Sequence, residues 1–301
     1  MQDCLARSSG DQERPVPGRQ IMGKVHRVGK KVEHRIQVGD RIVALTPNGK
    51  GNAKYISIPA DSAIPLPSSN ILRDDVICLV ESYMSAYQML NLGKQDNAPY
   101  TDANILIIGG SDPVGQALVE LAVKEGANVY ATAAKSHRAY VKMMGATWFP
   151  NDPKKFYKLK GKMDVVIDTL CLDGYKSSHE ALHRNGKLIC TINPPKHDSG
   201  SFSEQMDRSW STFKCSWRPN VIFYDVNKSF QDNPRMFKHD LKYLLHKLRH
   251  GEIKPKISGR VSLNQVPRAQ KLIEKGLPNG TVVVNPWEKF DPTVSMPIER
   301  V

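Results

Sequence analysis

A short stretch in the middle of the chain has the residue types and spacing best suited to chemistry. An unbroken apolar run, Asn104-Ile105-Leu106-Ile107-Ile108, ends in Gly109-Gly110, and Ser111-Asp112-Pro113-Val114-Gly115 follows. A glycine turn that opens a helix gathers backbone N–H groups at the positive helix end, where a pyrophosphate can bind. The dinucleotide fingerprint is G-x-G-x-x-G. Gly110 and Gly115 supply its first and third glycines, and Asp112 stands at the second. Asp112-Pro113 also reads as an N-cap and first-turn pair. Its carboxylate could cap the helix and compete with a phosphate for the same donors, and Pro113 lacks an N–H. Two readings stay open. Gly110, Ser111, Asp112, Pro113, Val114 and Gly115 hold a cofactor, or the fold survives with cofactor binding weakened or lost.

The choice of dinucleotide is read at the end of the second strand of such a unit. An acid there would hold the ribose hydroxyls of NAD. Here the strand ends Ala131-Thr132-Ala133-Ala134 without an acid, and Lys135, His137 and Arg138 follow at once. Lys135 and Arg138 suit the extra phosphate of NADPH. The plainer alternative makes them exposed residues at a helix start.

The elements that must position these residues follow from periodicity. Asn104–Ile108 reads as a strand buried on both faces. Pro113–Lys124 carries Val114, Leu118, Leu121 and Ala122 at helical spacing, with Gly126 at its end. Asn128–Ala133 and Asp164–Asp168 are further strands, then a helix around Tyr175–His183 and a strand over Lys187–Ile192. This alternation predicts a doubly wound parallel sheet, the Rossmann arrangement. Before it, Ile42–Leu45 and Tyr55–Ile58 read as short strands between Gly and Pro turns, in the texture of a small β-barrel. Asp75–Leu92 is helical. Asn233-Pro234 opens a helix with Phe237, Leu241, Leu244, Leu245 and Leu248 on one face, closed by Gly251. Thr281–Val284 is a last strand, and residues 289–301 read as a tail.

A second motif is a decoy. His179-Glu180-Ala181-Leu182-His183 matches the H-E-x-x-H of zinc proteases, which needs both histidines on one helix face. This helix crosses between two strands of the sheet and should turn its apolar face inward, so no metal is expected here.

Around the fingerprint the chain resembles the medium-chain dehydrogenase/reductase superfamily, in its zinc-free quinone-oxidoreductase-like branch. The resemblance rests on Pro17–Val25 with Val28-Gly29, Gly39-Asp40-Arg41-Ile42, Ser85-Ala86-Tyr87, Gly145-Ala146, Ile253-Lys254-Pro255 and Gly280–Val283. It implies a discontinuous GroES-like β-barrel domain over 1–84 with 234–288, and a Rossmann NADP-binding domain over 85–233. Met1-Gln2-Asp3 aligns inside the barrel, so the first barrel strands are expected to be missing. The resemblance also implies a homodimer that reduces quinones or α,β-unsaturated carbonyls with NADPH, with Ser85 near the nicotinamide. Gly18-Arg19-Gln20 replaces the Gly-His-Glu of zinc-dependent relatives, so the expected metal is none. Cys171-Leu172 replaces the family's Gly-Gly after the fourth strand of the Rossmann domain. No proton donor is evident. Tyr83 and Tyr87 read as packed beside Ser85.

Composition excludes several classes. Lys and Arg number 43 against 30 Asp and Glu, a net +13. The cations are spread along the whole chain, whereas a nucleic-acid binder gathers them on one face. No apolar run is long enough to span a membrane. Five scattered cysteines argue for reduced thiols, and with no secretory leader in Met1–Pro15 the expected setting is cytoplasmic. The leading expectation is a zinc-independent NADPH-dependent oxidoreductase acting on a small quinone or enone. The alternatives are a non-catalytic scaffold that keeps the fold and, more weakly, a basic nucleic-acid-binding protein.

Overall fold

The computed structural model describes residues 16–32, 35–67, 74–94, 98–192 and 202–288. The expected tail, Met1–Pro15 and Cys4 lie outside the described residues. The chain divides into two compact units, Met1–Met84 with Asn233–Val301, and Ser85–Asp232.

In the first unit, β1 (Gln20–Lys24), β2 (Arg41–Leu45) and β3 (Ile64–Pro65) form an antiparallel sheet in that order. β2 is the buried centre. Ile42, Val43, Ala44 and Leu45 are all inside, so both faces of this strand are covered. The strand expected over Tyr55–Ile58 does not form. Residues 52–55 bend instead, held by Gly51 N–H to Gly18 C=O at 2.9 Å and Asn52 N–H to Pro17 C=O at 2.9 Å. Ile58 still packs against Ile36, Ile42 and Ala63, so its apolar character reports burial rather than a ladder. Next comes α1 (Val76–Cys78), which continues through a π-helical stretch, Leu79–Tyr83, into α2 (Met84–Gly93).

The second unit holds β4 (Asn104–Ile108), α3 (Pro113–Lys124), β5 (Asn128–Ala133), α4 (Arg138–Met143), β6 (Thr147–Pro150) and β7 (Met163–Asp168). α5 (Lys176–Ala181), β8 (Leu182–Thr191), α6 (Phe202–Ser216), β9 (Val221–Tyr224) and α7 (Val226–Asp232) complete it. All six strands are parallel, in the order β6-β5-β4-β7-β8-β9. That is the 3-2-1-4-5-6 order of a Rossmann sheet. Ile105, Leu106, Ile107 and Ile108 are at most 1% exposed. Each such side chain contributes about 1.5–3 kcal/mol on burial, which is why the central strand reads as continuous rather than alternating.

The chain then returns to the first unit with α8 (Pro234–Arg249), β10 (Ile257–Val261), α9 (Val266–Glu274) and β11 (Thr281–Val284). Asn233 caps α8, its side chain accepting from the Met236 N–H at 3.0 Å, and Pro234 takes the first turn. Phe237, Leu241, Leu244, Leu245 and Leu248 are all buried. α8 packs on the Leu79–Tyr83 stretch, and β10 pairs with β11 in parallel. Among the described residues no helix is long and apolar enough to cross a membrane.

Candidate functional site

The turn after β4 is built by close approach. Gly109 has φ +99°, in the left-handed region open to glycine. Its N–H donates to Thr132 Oγ1 at 3.2 Å, and the Gly110 N–H donates to the Thr132 carbonyl at 2.8 Å. β5 thereby holds the turn. A methyl on Gly110 would lie 2.8 Å from the Ala131 Cβ. One on Gly115 would lie 1.9 Å from the Gly109 carbonyl oxygen. The third fingerprint glycine is therefore demanded by helix-to-strand packing. Thr169, just past β7, donates its Oγ1 to the Ile108 carbonyl at 2.9 Å. It closes the turn from the side where the strand order reverses.

α3 begins with Asp112 at its N-cap and Pro113 at its first position, as the sequence suggests. The capping expectation needs correction. The Asp112 side chain makes no cap hydrogen bond. Its Oδ2 instead lies near Gly109, 3.3 Å from where a Cβ on that residue would sit. Burial pushes its pKa up from 3.8 to about 6. The backbone N–H groups of Ser111, Val114 and Gly115 donate to no group of the chain among the described residues. These are the donors that a helix N-terminus leaves open for an anion. The cradle thus fits a pyrophosphate, and the carboxylate does not consume its donors. Gln116 props the turn by donating its Nε2–H to the Ser111 carbonyl at 2.7 Å.

At the end of β5, Lys135 and Arg138 are both exposed, while His137 between them is buried. The Arg138 guanidinium lies 5.1 Å from the Trp148 ring centroid. Trp148 is itself fixed, its indole N–H donating to the Ala133 carbonyl at 3.1 Å. Arg138 is therefore a cation on a rigid aromatic platform rather than a loose surface charge. Ser85 lies on α2 and is buried, as is Tyr83, whereas Tyr87 is half-buried. The structure thus brings Gly110–Gly115 together with Thr132 and Thr169, and sets Ser85 on a separate element.

Sequence reasoning missed the supporting roles of Thr132, Thr169 and Trp148. A threonine next to the end of a strand carries no periodic signal, and Trp148 reads as ordinary strand content. A further buried group is Asp168, at the end of β7. It accepts from the Ser178 hydroxyl and from the Leu170 and Cys171 N–H groups. Burial raises its pKa, opposed by those bonds. Cys171 takes φ +53°, so the position where the resemblance expects glycine does need a left-handed backbone.

The zinc-protease motif does not assemble. α5 stops at Ala181 because Leu182 turns extended, with ψ 140°. His179 Nε2 lies 3.1 Å from an Arg218 nitrogen, and His183 Nε2 lies 2.8 Å from Asp164 Oδ1, so the two histidines serve different elements. At the Gly18-Arg19-Gln20 triplet, Arg19 lies 3.8 Å from Glu81 and has no lone pair for a metal. That donor set does not fit a catalytic zinc.

A family model described as zinc-binding dehydrogenase matches residues 144–284. The chain is 24% identical over 180 residues to a probable quinone oxidoreductase of Schizosaccharomyces pombe, covering 58% of this chain and 53% of that protein. It is 22% identical over 294 residues to a mitochondrial NAD(P)H oxidoreductase of Danio rerio, covering 93% and 74%. It is also 21% identical over 285 residues to a phenolphthiocerol/phthiocerol polyketide synthase subunit of Mycobacterium tuberculosis, covering 91% of this chain but only 12% of that protein. The chain thus spans a small part of one of these relatives and about half of another. Among solved structures, the JamJ enoyl reductase matches with a TM-score of 0.75 at 20% identity, covering 95% of this chain and 84% of that one. A mycobacterial protein complexed with NADPH matches with a TM-score of 0.69 at 21% identity, covering 89% and 82%. With the 3-2-1-4-5-6 sheet and its glycine turn in place, the solved structures share the fold of this chain, and the family model and relatives support the resemblance to the medium-chain dehydrogenase/reductase superfamily, in its quinone-oxidoreductase-like branch.

Proposed function

We propose that the chain is an NADPH-dependent oxidoreductase that reduces a small quinone or α,β-unsaturated carbonyl without a catalytic metal. One observation carries the reading. The open N–H groups of Ser111, Val114 and Gly115 stand at the N-terminus of α3, and the Arg138–Trp148 pair stands past the end of the neighbouring strand. The first feature suits a pyrophosphate and the second a ribose phosphate. Lys135 adds a second cation beside Arg138. NADPH bound there would supply a hydride equivalent from its nicotinamide. The chain's own contribution is binding and orientation, with Ser85 proposed at the nicotinamide end. The likeness to a protein complexed with NADPH supports the choice of cofactor.

A second reading keeps the fold as a non-catalytic scaffold. Asp112 favours it, since it sets a carboxyl group where the fingerprint has glycine. Titrating NADPH and NADH against the protein and following nicotinamide fluorescence separates the two. The enzyme reading expects saturable binding that is tighter for NADPH. Absence of saturation at millimolar cofactor overturns it in favour of the scaffold.

A further inference from the structure

We propose that His246, His250 and Glu252 form a site for one divalent transition-metal ion of the Zn2+ class at the C-terminal end of α8. His246 and His250 stand four positions apart, in the last turn and at the C-cap of α8, so they rise from the same face. Their ring centroids are 4.0 Å apart. The chain then turns back through Gly251, at φ +70°, and the Glu252 N–H donates to the Lys247 carbonyl at 2.9 Å. That turn returns the Glu252 carboxylate to the helix. One ligand atom from each of the three residues lies within 4.8 Å of the others.

The orientation of one ring is already set. His250 Nδ1 lies 2.8 Å from the His246 carbonyl oxygen. A carbonyl only accepts, so this nitrogen carries the proton and Nε2 keeps its lone pair. Metal-ligating histidines are held by the same kind of outer contact. All three side chains are exposed, so little desolvation opposes the small rotamer shifts that ligation at about 2.0–2.2 Å requires. The helix end also favours a cation. Two imidazoles and one carboxylate suit Zn2+, Ni2+ or Cu2+ better than Ca2+ or Mg2+, with water completing the shell. The ion has a competitor, because Lys247 Nζ holds Glu252 Oε2 at 2.8 Å. A bound ion would clip the last turn of α8 to the segment that follows it.

Calorimetric titration of the full chain with Zn2+ tests this, with Zn2+ as the probe in every arm. The native chain is expected to show a saturable one-to-one event. His250→Ala should weaken it at least tenfold, and Lys247→Ala, which releases the carboxylate, should tighten it several-fold. His246, His250 and Glu252 are exposed and Lys247 is half-buried, so the variants should fold. Zn2+ should also raise the native Tm, and the His246→Ala/His250→Ala double variant should lose that rise. Unchanged affinity in the double variant, or weaker binding in Lys247→Ala, overturns the proposal. It does not depend on the dinucleotide site, and NADPH binding should be the same in every variant.

Discussion

Gly115 sits so close to Gly109 that a single methyl group on it would come within 1.9 Å of the Gly109 carbonyl oxygen. The first turn of α3 and the end of β4 are therefore in backbone contact, and no rotamer can relieve an added side chain. Gly115→Ala is expected to cost at least about 1–3 kcal/mol, as overpacking does. It should also open the turn. Thermal unfolding checks both effects: a lower Tm, and loss of any rise in Tm that NADPH gives the native chain. A variant with native Tm and native NADPH response would contradict this packing account.

Asp112 gives a pH signature whose sign is fixed. Its folded pKa, about 6, lies above its ordinary value of 3.8. The folded state thus holds the proton more tightly, and stability falls as pH rises from the lower value through the upper one. Above both values the buried charge costs on the order of 2–3 kcal/mol at most. Asp112→Asn should therefore raise the Tm at about pH 8 and leave it nearly unchanged at about pH 3.

The same carboxylate should oppose cofactor binding. Asp112→Gly and Asp112→Asn are expected to tighten NADH and NADPH binding near pH 8. Their advantage over the native chain should shrink as pH falls through about 6 and the native carboxyl takes up its proton. Comparing variant with native chain at each pH cancels titration of the cofactor's own phosphate. An advantage that does not change with pH would show that Asp112 acts through shape rather than charge.

Arg138 should set the preference between cofactors. Arg138→Ala removes a charge-assisted contact of about 1.5–3 kcal/mol with a ribose phosphate, roughly a tenfold to hundredfold loss. NADPH affinity should drop by that factor while NADH affinity holds. Trp148→Leu should give a weaker version of the same effect, because it removes the platform and leaves the charge. Equal losses for both cofactors would place the phosphate elsewhere.

The Asn233 cap makes a simpler claim. Asn233→Ala removes the acceptor for the Met236 N–H and should cost about 1 kcal/mol. Chemical denaturation reads this as a lower midpoint with an unchanged slope.

Much of the second unit was legible because its central strands are buried on both faces and α3 opens on an Asp-Pro pair. Ile105–Ile108 could only be a central strand, and Asp112-Pro113 could only open a helix. Tyr55–Ile58 misled for the opposite reason. Ile58 packs against the core, yet Tyr55 is exposed and the residues just before it, Gly51 and Asn52, are tied to Gly18 and Pro17. H-E-x-x-H was rightly set aside: α5 ends at Ala181, and His183 lies against Asp164 while His179 lies against Arg218. Within the site, the glycines and cations were readable and their supports were not. Thr132, Thr169 and Trp148 act through tertiary contacts that leave no local pattern. Cys171 shows how a departure can be read from structure. It keeps a left-handed backbone with a side chain that disfavours it, so the conformation rather than the residue is what the loop requires.

The division of the chain sets an order of events during synthesis. Ser85–Asp232 is one uninterrupted stretch, while the other unit draws on both flanks of it. A ribosome releases everything the parallel sheet needs before α8 exists. The segment bearing β1, β2 and β3 must meanwhile wait for partners made last, with the buried face of α8 still to come. The parallel-sheet unit can thus form on the growing chain, and its neighbour only after translation has passed it.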